Sequence, residues 1–190
     1  GVGFEKCFTA GCERIKILTS NVKTEPALQG DYASIQIVND ANILCSVHLN
    51  SKIYSENEDD REIIIEKLIR DLREIETNLQ TENTIIVGDF NVNPYENEFI
   101  NARYLHSLPI FSETQRKSRV IKGEEFYMFY NPMWNFLGDF KEPYGTYYKS
   151  GSNATCTFWN IYDQVIIRPA LRQRFVDESL KIVTETESKY

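Results

Sequence analysis

No stretch of the chain approaches the roughly 18 consecutive apolar residues that a membrane-spanning helix needs, so no span is expected. The opening residues, Gly1 to Phe8, lack the charged, apolar, small-residue succession of an export signal. Cysteine is scarce: Cys7, Cys12, Cys45 and Cys156 are too few for a disulfide scaffold, and they lack the paired C-x-x-C spacing of zinc sites. Reduced thiols in a cytoplasmic setting are the expectation. Positive charge is also in deficit, with 21 Lys and Arg against 28 Asp and Glu and a net charge of -7. Such a balance argues against a protein that holds nucleic acid by charge alone. It leaves room for a phosphate-handling enzyme that borrows positive charge from metal ions.

What is present can build a core. Hydrophobic residues make up 42% of the 190 and aromatics 13%, which excludes wholesale disorder and a collagen-like repeat. No repeat, low-complexity segment or linker divides the chain, so one α/β domain over residues 1–190 is expected.

Three Ile-, Leu- and Val-rich runs bounded by turn formers read as strands: Arg14 to Thr19, Tyr32 to Val38 and Ile43 to His48. From Asp59 to Gln80 the period changes. Ile64, Leu68, Leu72, Ile75 and Leu79 recur every three or four residues, and Ile65 and Ile69 widen the stripe, which describes one face of a helix. Asp59 and Asp60 at its start complement the helix dipole. Asn83 to Gly88 then reads as a buried strand, completing a β-α-β unit whose strands should run parallel. Asn93-Pro94 has the form of a helix start, predicting a second helix to about Leu105. Phe126 to Tyr148 reads as a loop-rich aromatic surface with one short strand near its end. Two late strands are predicted at Thr155 to Trp159 and Tyr162 to Arg168, the second closed by Pro169.

Three segments put a chemically capable residue at one end of an apolar strand: Val47-His48-Leu49-Asn50, Gly88-Asp89-Phe90-Asn91 and Tyr162-Asp163-Gln164-Val165. Strand ends are where open α/β proteins build sites. Asp89 and Asn91, two apart in extended chain, would point to one side and converge on a phosphate, a water or a hard cation; a turn is the plainer alternative. His48 would neighbour Asp89 in β-α-β topology and is suited to proton donation or phosphate contact. Asn50, in the same segment, is a further candidate for substrate contact. Asp163 interrupts an apolar run, so it must either find a partner or sit at the strand's open end. His106 reads as a helix-end residue. Arg116, Lys117, Arg119 and Lys122 form a basic cluster that is either a solvated loop or a rail for substrate phosphates. Tyr130, Trp134, Tyr147 and Tyr148 either pack the core or stack on bases. Asn153-Ala154-Thr155 matches a glycosylation sequon.

Taken in order, His48-Leu49, Gly88-Asp89-Phe90-Asn91 and Tyr162-Asp163-Gln164 resemble the endonuclease/exonuclease/phosphatase superfamily, the family of deoxyribonuclease I, abasic-site endonucleases, sphingomyelinases and inositol polyphosphate phosphatases. The resemblance implies two packed mixed β-sheets with outer helices, a four-layer α/β/β/α sandwich, and hydrolysis of phosphate esters assisted by Mg²⁺ or Mn²⁺. It implies that Asp89 orients or activates the attacking water and that Asn91 contacts the phosphate or a metal, so that both are metal-ligand candidates. His48 would contact the phosphate or donate a proton, and Asp163 would orient a C-terminal His. Substrates implied are phosphate esters, nucleic acid among them.

Two departures accompany the resemblance. No Gln-Glu segment precedes Arg14, and the chain ends at Glu187-Ser188-Lys189-Tyr190 without a Ser-Asp-His segment. The expectation is a central fragment trimmed at both ends and a poor catalyst by itself. The competing reading is a catalytically incomplete member that binds a phosphorylated ligand or a protein.

Overall fold

The computed structural model describes residues 3–51, 58–140, 142–151 and 156–185, with the side chains of Glu58 and Asp59 excluded. The Asp59 carboxylate, the first residue of the predicted Thr155 to Trp159 strand, the Asn153 sequon and Glu187 to Tyr190 lie outside the described residues.

The architecture is mixed α/β. Its centre is a seven-stranded sheet made of β1 (Thr24–Gln29), β2 (Ala33–Val38), β3 (Asn42–His48), β4 (Thr84–Asp89), β5 (Ser107–Leu108), β6 (Phe129–Tyr130) and β7 (Asp163–Ile167), in the order β1-β2-β3-β4-β7-β6-β5. β3 and β4 run parallel, joined through helix α1 (Glu58–Leu79), while β7 enters antiparallel to β4. Two-stranded ribbons join Glu5–Lys6 to Leu18–Thr19, Ser118–Ile121 to Glu124–Tyr127, and Tyr147–Tyr148 to Trp159–Asn160. Among the described residues no helix is long and apolar enough to cross a membrane.

Alternation along β3 decides which side is core. Ile43, Cys45 and Val47 are buried against α1, with Ile35 of β2, Ile86 of β4 and Ile166 of β7 on the same face. Intervening residues such as Leu44 and His48 face the other way. The buried helix stripe runs through Arg61, Ile65, Leu68, Leu72 and Glu76, so its centre lies one position away from the predicted one. Ile64, Ile69, Ile75 and Leu79 flank it, partly buried. The reason is electrostatic: Glu76 belongs on the inner face because Arg168 and Thr84 meet it there. Leu72 has no exposed surface. Leu72→Ala should cost about 3 kcal/mol, as truncation of a buried Leu leaves a cavity. A urea unfolding curve measures this, and a shift below about 1 kcal/mol would mean that the face is not packed as described.

Several predicted elements need correction. Of Arg14 to Thr19 only Leu18–Thr19 is a strand; Ile15 and Ile17 turn inward with Cys7 and Cys12 to cover Leu44 on the sheet's second face. Strand β1 is not among the predicted strands; it carries Pro26, whose missing N–H is tolerated because β1 is an edge strand with a register shift between Pro26 and Leu28. The predicted helix to Leu105 shrinks to one turn, α2 (Asn97–Ile100). Asn101 adopts an extended backbone, and its side chain accepts the Arg103 N–H, a local bond that competes with helix. In the aromatic region Phe129–Tyr130 joins the central sheet, and the expected short strand at Tyr147–Tyr148 pairs with Trp159–Asn160 in a separate ribbon. The late strands are shorter than predicted, Trp159–Asn160 and Asp163–Ile167.

Cys7, Cys12, Cys45 and Cys156 are all free. Burial pushes the Cys45 thiol up to about 12, which keeps it protonated and inert.

Candidate active site at the ends of the central strands

Register brings the three sequence segments to one line. His48 on β3 is paired with Asp89 on β4, and Asp89 is paired with Asp163 on β7. Residues directly opposite one another share a face, so the imidazole and both carboxylates leave the sheet on the side away from α1. The ladder extends past the strand ends: Leu49 N–H donates to Asp89 C=O and Phe90 N–H to Tyr162 C=O, each at 2.8–2.9 Å. On the other side of β3, His48 N–H donates to Tyr32 C=O. Tyr32, His48, Asp89 and Asp163 therefore form a row across four adjacent stretches of backbone.

The His48 Nε2 lies 3.9 Å from Asp89 Oδ2, with both side chains partly open to solvent. That gap exceeds a direct hydrogen bond, and one bridging oxygen can fill it. The Asp163 carboxyl is held above the usual carboxylate range, chiefly by lost hydration and then by the negative charge of Asp89; the Thr146 hydroxyl beside it pulls the other way. Asp89 and Asp163 stand on adjacent strands, and among the described residues no group of three or more His, Cys, Asp and Glu side chains is placed to hold a metal ion. Two hard oxygen donors suit Mg²⁺, which keeps most of its water and takes only one or two carboxylates.

Asn91 does not extend from Asp89 as the two-residue spacing implied. Its φ is +52°, its N–H donates to Asp89 Oδ1 at 2.9 Å, and its Nδ2 donates to Leu49 C=O at 2.9 Å. The plainer reading, an Asx turn, describes this local geometry. The turn still serves the site, because it ties the end of β4 to the end of β3. Asn50 is likewise engaged inside the protein: its Oδ1 accepts from Arg14 and its Nδ2 donates to Tyr32 Oη.

Supporting groups surround the row, of which Thr146, Asn131 and Asn160 were not marked by the sequence. The Thr146 hydroxyl oxygen accepts the N–H of both Tyr162 and Asp163 at 3.0 Å, and Tyr147 stacks on Tyr162. Gln164 donates to Val92 C=O and Ile161 C=O and accepts from Asn131, while Asn93 bonds Asn160 and Ile161 N–H. These buried amides lock the chain after β4 to the start of β7. The only sequence signal for them is polar residues inside apolar runs.

Other candidates lie elsewhere. Lys117 pairs with Glu82, which precedes β4, so this part of the basic cluster sits at the opposite end of that strand from Asp89, about 20 Å away at 3.3 Å per residue. A depression of about 530 Å³ lined by Arg73, Glu76, Glu82 and Lys117 is at that far end too. Tyr130 is buried in the core, whereas Tyr147 and Tyr148 are exposed on their ribbon.

His106 corrects the helix-end reading. It is wholly buried with neither ring nitrogen hydrogen-bonded among the described residues, and its φ is +45°. Burial, then the charge of Arg119, lowers its pKa to about 4. The unfolded chain then takes up a proton near the ordinary value of 6.5 that the folded chain refuses until about 4. This contribution to stability is complete above pH 6.5 and is lost as pH falls toward 4, by on the order of 3 kcal/mol. Urea unfolding at pH 7.5 and 5 should show the loss in the native protein and a much smaller one in His106→Gln. Equal losses in both would refute the assignment.

Compared with protein-family models and with curated proteins, the chain matches none.

Proposed function

We propose that the chain carries the reaction centre of a metal-dependent phosphoesterase of the deoxyribonuclease I-like kind, a nuclease-like phosphodiesterase, its seven-stranded sheet being one of the two sheets of such a sandwich. The observation that supports this most is the row His48, Asp89, Asp163 in direct register on three adjacent strands. A proton donor and two carboxylates at strand ends are what hydrolysis of a phosphodiester calls for: a positioned water, a protonated leaving group and relief of negative charge. In this reading Asp89 orients the attacking water and His48 delivers a proton to the departing oxygen. Asp163, paired with Asp89 on the neighbouring strand, supplies the second carboxylate of the site. Asp89, with Asp163 on the next strand, would hold Mg²⁺ or Mn²⁺, which when bound neutralises charge on the phosphoryl oxygens, while Asn91 keeps the turn that positions Asp89. A cytoplasmic setting belongs to the same reading, supported by four free thiols.

The test is a hydrolysis panel of nitrophenyl phosphodiesters, oligonucleotides, phosphoinositides and sphingomyelin with Mg²⁺, Mn²⁺ or a chelator. It uses the chain alone and together with whatever flanks it in its gene. Metal-dependent turnover of a diester, abolished by chelation, is expected. Absence of turnover in every arm would replace the enzyme by a phospholigand-binding module.

A further inference from the structure

The row of His48, Asp89 and Asp163 is rich in negative charge, in a protein that is itself acidic. An anionic substrate arriving there needs a local cation from the chain. Most of the described cations that make close polar contacts are neutralised by carboxylates: Lys23 by Glu25 and Asp40, Arg61 by Glu98, Lys117 by Glu82, Arg168 by Glu76, and Arg172 by Asp177. Arg14 differs. Its Nη1 donates to Asn50 Oδ1 at 2.9 Å, its guanidinium stands 5.3 Å from the centre of the Tyr32 ring, and among the described residues it makes no ion pair.

The three groups close on one another, since Asn50 Nδ2 donates to Tyr32 Oη at 3.0 Å. Both anchors belong to the row's own neighbourhood. Tyr32 accepts the His48 N–H through its carbonyl, and Asn50 follows His48 by two residues on a segment whose Leu49 N–H bonds Asp89. Neutral anchors fix the guanidinium without cancelling its charge, and they use one N–H of five. The remaining fork suits two oxygens of a phosphoryl group, a geometry that lysine lacks.

We propose that Arg14, positioned by Asn50 and Tyr32, is the cation that binds the non-bridging phosphate oxygens beside His48. The proposal rests on the phosphoesterase reading. It also changes the part played by Asn50, from a substrate contact to a positioning residue for Arg14.

Inorganic phosphate is the probe, and the ring resonances of His48 in histidine-labelled protein are the readout, with buried His106 as an internal reference. Phosphate should shift His48 in the native protein and leave His106 in place. Arg14→Gln should weaken the apparent affinity by about tenfold or more, the scale of a charge-assisted contact of roughly 1.5–3 kcal/mol. Arg14→Lys should lie between, retaining charge but losing the fork. Asn50→Ala should also weaken binding although Arg14 is present, which a purely structural Arg14 would not require. Circular dichroism confirms that each variant is folded, and Arg14→Lys with Asn50→Ala carries the test if Arg14→Gln is not. Equal affinity in native protein and the variants would overturn the role of Arg14 while the phosphoesterase reading stands on metal-dependent turnover. No phosphate-dependent shift of His48 in the native protein would also overturn it, again independently of turnover.

Discussion

Asp89→Asn is expected to lower metal-dependent hydrolysis by roughly 10²- to 10⁴-fold, the range for a positioned acid-base group, while the urea midpoint barely moves. The separation of the two effects follows from what Asp89 does locally. Its Oδ1 accepts the Asn91 N–H that closes the turn after β4, and an amide oxygen can accept the same bond. Shape and turn therefore survive; the charge that orients water or holds a metal does not. His48→Ala should be more harmful on esters with poor leaving groups, because protonating the departing oxygen then matters more. Steady-state rates across leaving groups of graded pKa test both statements. If Asp89→Asn kept full metal-dependent activity on every ester, the role assigned to Asp89 would be wrong.

Glu76→Ala should destabilise the fold by about 3 to 5 kcal/mol, the scale for breaking a buried ion pair from one side. Glu76 and Arg168 have essentially no solvent exposure. One carboxylate oxygen accepts from Arg168 Nε at 2.8 Å and from the Thr84 hydroxyl at 2.6 Å, and the other from Arg168 Nη2 at 3.1 Å and from Arg73. Arg168 also donates to Met128 C=O and lies over the Phe129 ring at 3.8 Å. Removing the carboxylate strands a guanidinium among α1, β4 and β6. Replacing both partners, as Glu76→Leu with Arg168→Met, should recover much of the loss, since two well-packed apolar groups leave no orphaned charge. Denaturant unfolding of the single and double variants decides it; a single-variant cost below 1 kcal/mol would show that the charge is solvated.

Elements with strong periodicity were legible in the sequence: α1 by its apolar recurrence, and β3 and β4 by apolar runs ending in polar residues. The juxtaposition of His48 with Asp89 could be anticipated because a strand-helix-strand unit makes its two strands neighbours. That Asp163 would complete the row was carried only by the family resemblance, since the insertion of β7 between β4 and β6 depends on contacts distant in sequence. Failures have physical causes too. The edge strand β1, which carries Pro26, was not predicted; proline's missing N–H matters only where a neighbour needs it. Asn93-Pro94 imitated a helix start, whereas Asn93 is tied to Asn160 and Ile161 across the fold. Spacing alone placed Asp89 and Asn91 side by side; a single left-handed residue, Asn91, rearranged them. The inward turn of Glu76 could not be read without knowing that Arg168 would lie opposite.

Gly88 stands between Ile86 on the core face and the Asp89 of the row, with a φ of +145°. A Cβ placed there would sit 1.9 Å from the carbonyl oxygen of Val47, the residue before His48. Position 88 is thus closed to every side chain. The separation of His48 from Asp89 is set by that missing atom: any substituent would act as a wedge between β3 and β4 at the point where the imidazole and the carboxylate emerge. Sequence drift can reshape the loops around the row, but the spacing within it is insulated from such change.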